Sequence, residues 1–140
     1  MTEQEIIQQL NTFRPKFLDL MRCEILGVDL QEKSCKMSFV LDDQFSHSGG
    51  IIQGGFVAAM LDAVTSHAAF AAESDVVGVS SLELKVSYLS ACREGKLMTE
   101  GRVLKLGRNI AFFSGEVYGN DGELAATFTS TAKVTRKSNA

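Results

Sequence analysis

Apolar positions along the chain change period twice, and each change marks a new kind of element. Ile6, Ile7, Leu10 and Phe13 recur at helical spacing behind Thr2-Glu3-Gln4-Glu5. Thr followed by Glu three residues later is a capping box. The pattern predicts a short amphipathic helix over about 2–14, ended by Pro15, the one proline of the chain. Residues from about 20 to 28 read as extended. After a turn at Gln31-Glu32-Lys33-Ser34, the apolar residues Cys35, Met37, Phe39 and Leu41 alternate with polar partners, which predicts a hairpin. A loop from Phe45 to Gln53 carries Gly49-Gly50. From Gly54 to about Ala72 the alternation gives way to a helix apolar on nearly every face.

Four strand-like stretches follow. In the first, Leu82, Leu84, Val86 and Tyr88 form one face and Ser81, Glu83, Lys85 and Ser87 the other. The second runs from about Lys96 to Leu106. Beyond the Gly107-Arg108-Asn109 turn lies Ile110 to Tyr118, and beyond Gly119-Asn120-Asp121-Gly122 lies Leu124 to Val134, Asp-Gly being a strong hairpin signal. Residues 136–140 read as a polar, frayed tail. A helix apolar all round must be surrounded, and the economical solution is an antiparallel sheet curled around it, joined by the first hairpin. The expectation is an α+β fold in one domain over residues 1–140.

Composition narrows the function classes. The net charge of −3 argues against broad nucleic-acid binding. Residues 51–72 have the length of a membrane span, but Gln53, Asp62, His67 and several hydroxyls interrupt them and alternating strands follow, so a core helix is expected. The N-terminus lacks the basic start and apolar core of a signal peptide. The three cysteines are odd in number and show no Cys-x-x-Cys spacing, which speaks against a disulfide framework or zinc site and fits a reducing cytoplasm.

One charge stands out. Asp62 is the only formally charged residue between Asp43 and Glu73, and it lies inside the apolar helix. A carboxylate there is costly unless paired, hydrogen-bonded or chemically employed. Gly54 and Gly55 lie eight and seven residues upstream, where the helix begins. A helix start offers unsatisfied N–H groups and partial positive charge, suited to an anion or a polarised carbonyl oxygen. Thr65 and Ser66, three and four residues on, share the face of Asp62. His67 falls on another face and reads as structural.

This element order, with Gly-Gly at the helix start and an acid two turns later, resembles the hotdog-fold thioesterases. The nearest branch is that of the small acyl-CoA thioesterases related to the phenylacetate-pathway and 4-hydroxybenzoyl-CoA enzymes. The resemblance runs from about Leu20 to Val134. It includes Leu82-Glu83-Leu84-Lys85-Val86-Ser87-Tyr88-Leu89 with Gly95, Gly107-Arg108, and the Thr-rich last strand. It implies a sheet wrapped around the helix and hydrolysis of an acyl-CoA thioester. By it Asp62 is nucleophile or general base, and the Gly54 N–H, with Gly55 beside it, polarises the thioester carbonyl. His47, six positions before the motif, helps to place the water or acyl group, and Ser66 lies near the reacting group. The chain departs from the family at Gln53, where close relatives carry His; Gln hydrogen-bonds but cannot carry a proton.

The resemblance further implies a site shared between two protomers, hence a homodimer, with homotetramers common, and no metal or redox cofactor. The CoA phosphates need cations, for which Lys85, Arg93, Lys105 and Arg108 are candidates. Phe45, Phe56, Phe112 and Phe113 are candidates for the acyl pocket, with core packing the default reading for each. Two other readings stand beside hydrolysis: a hotdog dehydratase or hydratase using His47 and Asp62, and a non-catalytic acyl-CoA binding module in which Gln53 marks lost chemistry.

Overall fold

Nineteen residues, Gly54–Ala72, form the central helix, and ten of them are buried against a curled sheet. In chain order the computed structural model, which describes residues 1–138, has α1 (Glu3–Thr12), α2 (Phe17–Leu20), β1 (Glu24–Asp29), β2 (Ser34–Leu41), β3 (Ser46–Ser48), β4 (Ile51–Ile52), α3 (Gly54–Ala72), β5 (Val76–Tyr88), β6 (Gly95–Leu106), β7 (Ile110–Tyr118) and β8 (Leu124–Arg136). Six strands pair antiparallel in the order β1-β2-β6-β7-β8-β5, and β3 and β4 form a separate small hairpin. Helix α3 packs across β6, β2, β5 and β7. By length and hydropathy it alone among the described residues matches a membrane span, and its burial on the sheet makes it the core helix.

Close approach of helix and sheet depends on a notch. Gly101 of β6 and Gly115 of β7 are register partners. A Cβ on Gly101 would lie 2.9 Å from Thr65 N and Val64 C, and one on Gly115 would lie 3.3 Å from Thr65 Cγ2. The backbone of α3 therefore rests directly on the sheet, and the Thr65 hydroxyl is satisfied within its own helix by Leu61 O at 3.0 Å. Around this contact Phe39, Met60, Leu61, Val64, Leu97 and Phe113 are buried, each worth about 1.5–3 kcal/mol of transfer energy.

The two sheet edges differ. Asn11 of α1 bonds both backbone groups of Ile25, accepting from its N–H at 2.9 Å and donating to its carbonyl at 3.1 Å, and so closes the β1 edge. Among the described residues the β5 edge has no such cover, and Leu82, Leu84 and Tyr88 are 61%, 43% and 54% exposed along it. A long apolar edge left open invites another strand.

Some elements differ from the sequence reading. The stretch expected to extend from residue 20 first makes α2, whose Leu18 is fully buried, and β1 starts only at Glu24. The Phe45–Gln53 loop contains a hairpin, because Gly49 and Gly50 (φ 58° and 74°) supply the two positive-φ positions of a two-residue turn. Residue 136 is not frayed. Arg136 ends β8, held by Glu73 (2.7 Å), Asp75 (3.0 Å) and the carbonyls of Gly107 and Arg108. Asn139 and Ala140 of the expected tail lie outside the described residues.

His67 is a core residue, as its helix face implied. Its Nδ1 lies 2.8 Å from the Ala63 carbonyl and therefore donates to it, and its ring meets Phe70 edge-on. Burial pushes its pKa below 6.5, against a smaller upward pull from the Ala63 carbonyl.

Two predictions follow from packing. Gly101→Ala should destabilise the fold by about 1–3 kcal/mol, since the obstructing atoms are helix backbone; a chemical-denaturation midpoint equal to wild type would refute the notch. Below about pH 6.5 the unfolded chain protonates His67 while the folded chain resists, so the unfolded state binds more protons and stability falls with pH. The thermal midpoint should drop as pH falls below about 6.5, and His67→Gln should flatten that slope. Equal slopes would show that His67 is not held neutral.

Candidate active site

The start of α3 is the first half of the candidate site. Of its orphan N–H groups, Gly55 N donates to Gln53 Oε1 at 2.7 Å, and Phe56 N and Val57 N donate to Gln53 O at 2.9 and 3.4 Å. Among the described residues no acceptor meets the Gly54 N–H. Gln53 is thus the N-cap, with its own N–H bound to Phe45 O at 2.8 Å. Of the two glycines expected to donate, the structure engages Gly55 with the cap and leaves Gly54 free. The Tyr88 hydroxyl donates to Gly54 O at 2.6 Å. A cleft of about 330 Å³ opens here, lined by His47, Ile52, Gly54, Val57, Tyr88 and Leu89 among others. His47, carried on β3, has its Nδ1 3.0 Å from Ser48 Oγ.

Asp62 is the second half. It is partly buried, forms no ion pair among the described residues, and accepts one hydrogen bond, from Ser81 Oγ at 2.8 Å. Ser66 lies one turn on, also half-buried, whereas Thr65 turns into the Gly101 notch. A carboxylate fixed by one hydroxyl, with no cation to neutralise it, keeps an oxygen lone pair for a reacting carbon or for a water proton.

The halves do not meet in one chain. Eight residues of helix separate Gly54 from Asp62, a rise of about 12 Å. A single carbonyl of the kind the resemblance implies as substrate would need its nucleophile and its N–H donor each within about 3 Å.

Other candidates scatter. Lys85 faces the outer side of the sheet with Ser114, Glu116, Thr127 and Thr129, away from α3 and Asp62. Arg93 donates to Gly49 O at 3.0 Å, bracing the hairpin that carries His47. Arg108 lines an open cleft of about 570 Å³ with Asp75, Asn109, Arg136 and Lys137. Lys105 is exposed on β6. Phe56 stacks edge-on with Phe45 at 5.0 Å beside the helix start, Phe112 is surface-exposed, and Phe113 is core. Residue reading missed Ser81 and Tyr88, which contact the site from 19 and 34 residues away.

Residues 49–126 match the thioesterase superfamily. A solved structure of a phenylacetic acid degradation-related protein from Ralstonia eutropha JMP134 is 33% identical, with a TM-score of 0.83, covering 92% of this chain and 98% of that one. A Saccharolobus solfataricus protein carrying a provisional esterase name is 26% identical over 79% of this chain and 75% of its own length. A Streptococcus mutans protein solved with acetyl-CoA bound has a TM-score of 0.72 at 18% identity, covering 82% of this chain and 90% of that one. With the six-stranded sheet wrapped on α3, these matches establish the hotdog fold.

Proposed function

The chain belongs to the thioesterase superfamily, and from that premise we propose that it hydrolyses an acyl-CoA thioester to the free acid and coenzyme A. The observation that carries this reading is the helix carboxylate, Asp62, without a counter-ion and held by a single serine hydroxyl. The substrate carbonyl accepts from the Gly54 N–H, and Asp62 attacks the carbonyl carbon or deprotonates the attacking water. In the first route CoA thiolate leaves and a mixed anhydride forms, which water then opens; in the second, water displaces the thiolate directly. A thiolate is a much weaker base than an alkoxide and leaves readily as its anion, so the reaction needs no strong general acid. One preorganised donor is worth about 3–4 kcal/mol in the transition state. Gln53 caps the donor helix, a role that does not require it to titrate, which supports hydrolysis despite the departure from His.

The 12 Å separation calls for a second copy that supplies the other half-site. The open edge of β5 supports antiparallel pairing of β5 with the same strand of a partner. A two-fold axis between Leu84 and Lys85 would set Tyr88, and with it the Gly54 N–H, opposite the partner's Ser81 and Asp62. The dimer is the minimal active unit, and a dimer of dimers is compatible with it. Arg108 with Lys137 is the best-placed cation pair for the nucleotide phosphates, at the end of the sheet where Glu73 follows α3. The bound acetyl-CoA of the streptococcal neighbour supports a CoA thioester as ligand. The chemistry calls for no metal or redox cofactor, and the three buried thiols suit a reducing cytoplasm.

Free-thiol release from a panel of short, medium, long and aryl acyl-CoAs tests the activity. The wild type should turn over at least one, and Asp62→Asn should lose about 10²–10⁴ in kcat; undiminished turnover by Asp62→Asn would refute the mechanism. A mixing experiment tests the shared site. Asp62→Asn and Gly54→Ala, each impaired alone, should regain about one quarter of wild-type activity when their subunits are exchanged, because half the dimers are mixed and each carries one intact site. No recovery on mixing would place both groups in one chain.

A further inference from the structure

We propose that Tyr88 is a positioning residue that fixes the aim of the Gly54 N–H; the proposal rests on the thioesterase reading of this site. Glycine is the softest hinge in a backbone, and two successive glycines begin α3. A donor placed there stabilises a developing oxyanion only if its direction is set before the reaction. The structure sets it on both sides of the Gly54 Cα. The preceding peptide is held through Gln53, whose N–H is bound to Phe45 O and whose carbonyl takes two N–H groups of the first turn. The following peptide is held through its N–H by Gln53 Oε1 and through its carbonyl by the Tyr88 hydroxyl.

Of these ties, only the last comes from outside the loop and helix themselves. Tyr88 stands at the end of β5, 34 residues along the chain. Its ring also accounts for the residue it clamps. A Cβ on Gly54 would come within 3.1 Å of the Tyr88 hydroxyl oxygen and 3.2 Å of its Cζ. The ring lies flush against Gly54, so glycine fits here because tyrosine occupies the space. Tyr88 also lines the cleft, together with His47 and Gly54. Strand β5 thereby holds both chemical groups, the carboxylate through Ser81 and the donor peptide through Tyr88.

Tyr88→Phe removes the hydroxyl and keeps the ring. With the acyl-CoA that the wild type turns over best, kcat should fall about tenfold while KM stays within about twofold, the signature of an interaction realised in the transition state. Backbone hydrogen exchange over residues 53–57 should accelerate, and exchange around Asp62 and Ser81 should not. Dimer content and thermal midpoint should match wild type. A normal kcat in Tyr88→Phe overturns the proposal and leaves the thioesterase reading standing. A lower kcat accompanied by loss of dimer also overturns it, assigning Tyr88 to assembly. Absence of turnover by the wild type on every acyl-CoA removes the thioesterase reading and the proposal together.

Discussion

Everything in this fold answers to a helix that cannot be left in water. Helix α3 is apolar around most of its circumference, so the sheet has to curl across it, and the glycine notch at Gly101 and Gly115 lets backbone meet backbone at the centre. What the sheet leaves uncovered is one narrow stripe, on which Ala59, Asp62, Ser66 and Phe70 are all half-buried. An ionisable group in this helix has nowhere else to go without losing its solvation. The carboxylate is therefore placed by packing before any chemistry is considered, and the stripe that carries it is the surface a partner would complete.

Strand β5 links that helix to the proposed assembly. It is the sheet's open edge, its apolar side chains continue past the cover that α3 provides, and it donates one hydrogen bond to each half of the site. The opposite edge is sealed by Asn11, so the asymmetry is built in. Under the proposed function, an edge that both holds the candidate groups and invites a second strand would couple dimerisation to activity. A chain that failed to pair would keep its carboxylate and its donor about 12 Å apart.

Local signals in the sequence translated well into structure. The Thr2 side chain accepts from Glu5 N at 3.1 Å as the capping box implied, Gly119 to Gly122 turns β7 into β8, and α3 runs from Gly54 to Ala72 as its pattern predicted. The candidate site was legible to the extent that it lies within one element: Asp62 from its isolated charge, Gly54 from its place at a helix start. What escaped was long-range. Simple alternation places Ser81 with Glu83, Lys85 and Ser87, on the face opposite Leu84 and Tyr88. A bulge between Ser81 and Glu83 resets the period, so that Ser81 opposes Ala132 while Leu84 opposes Ser130, both on the buried face of β8. One extra residue turned a serine assigned to the outer face toward the carboxylate, and no periodicity argument can find a bulge that only the pairing with β8 defines.

Gln53 shows how a departure from a motif is judged by what the side chain does. A histidine at a helix N-terminus could cap, titrate or both; glutamine can only do the first. Here Oε1 takes the Gly55 N–H, which leaves one free donor at the helix start instead of two. Loss of the second donor at Gly55 is compensated in geometry rather than in number, since both peptides flanking Gly54 are tied down. The proposed thioester hydrolysis, whose leaving thiolate needs little help from an acid, asks only for one well-aimed N–H and one carboxylate that forms no ion pair among the described residues. The requirement that remains in the proposed mechanism is positional: the two have to be brought within reach of the same carbonyl, and pairing through the open β5 edge is the proposed means.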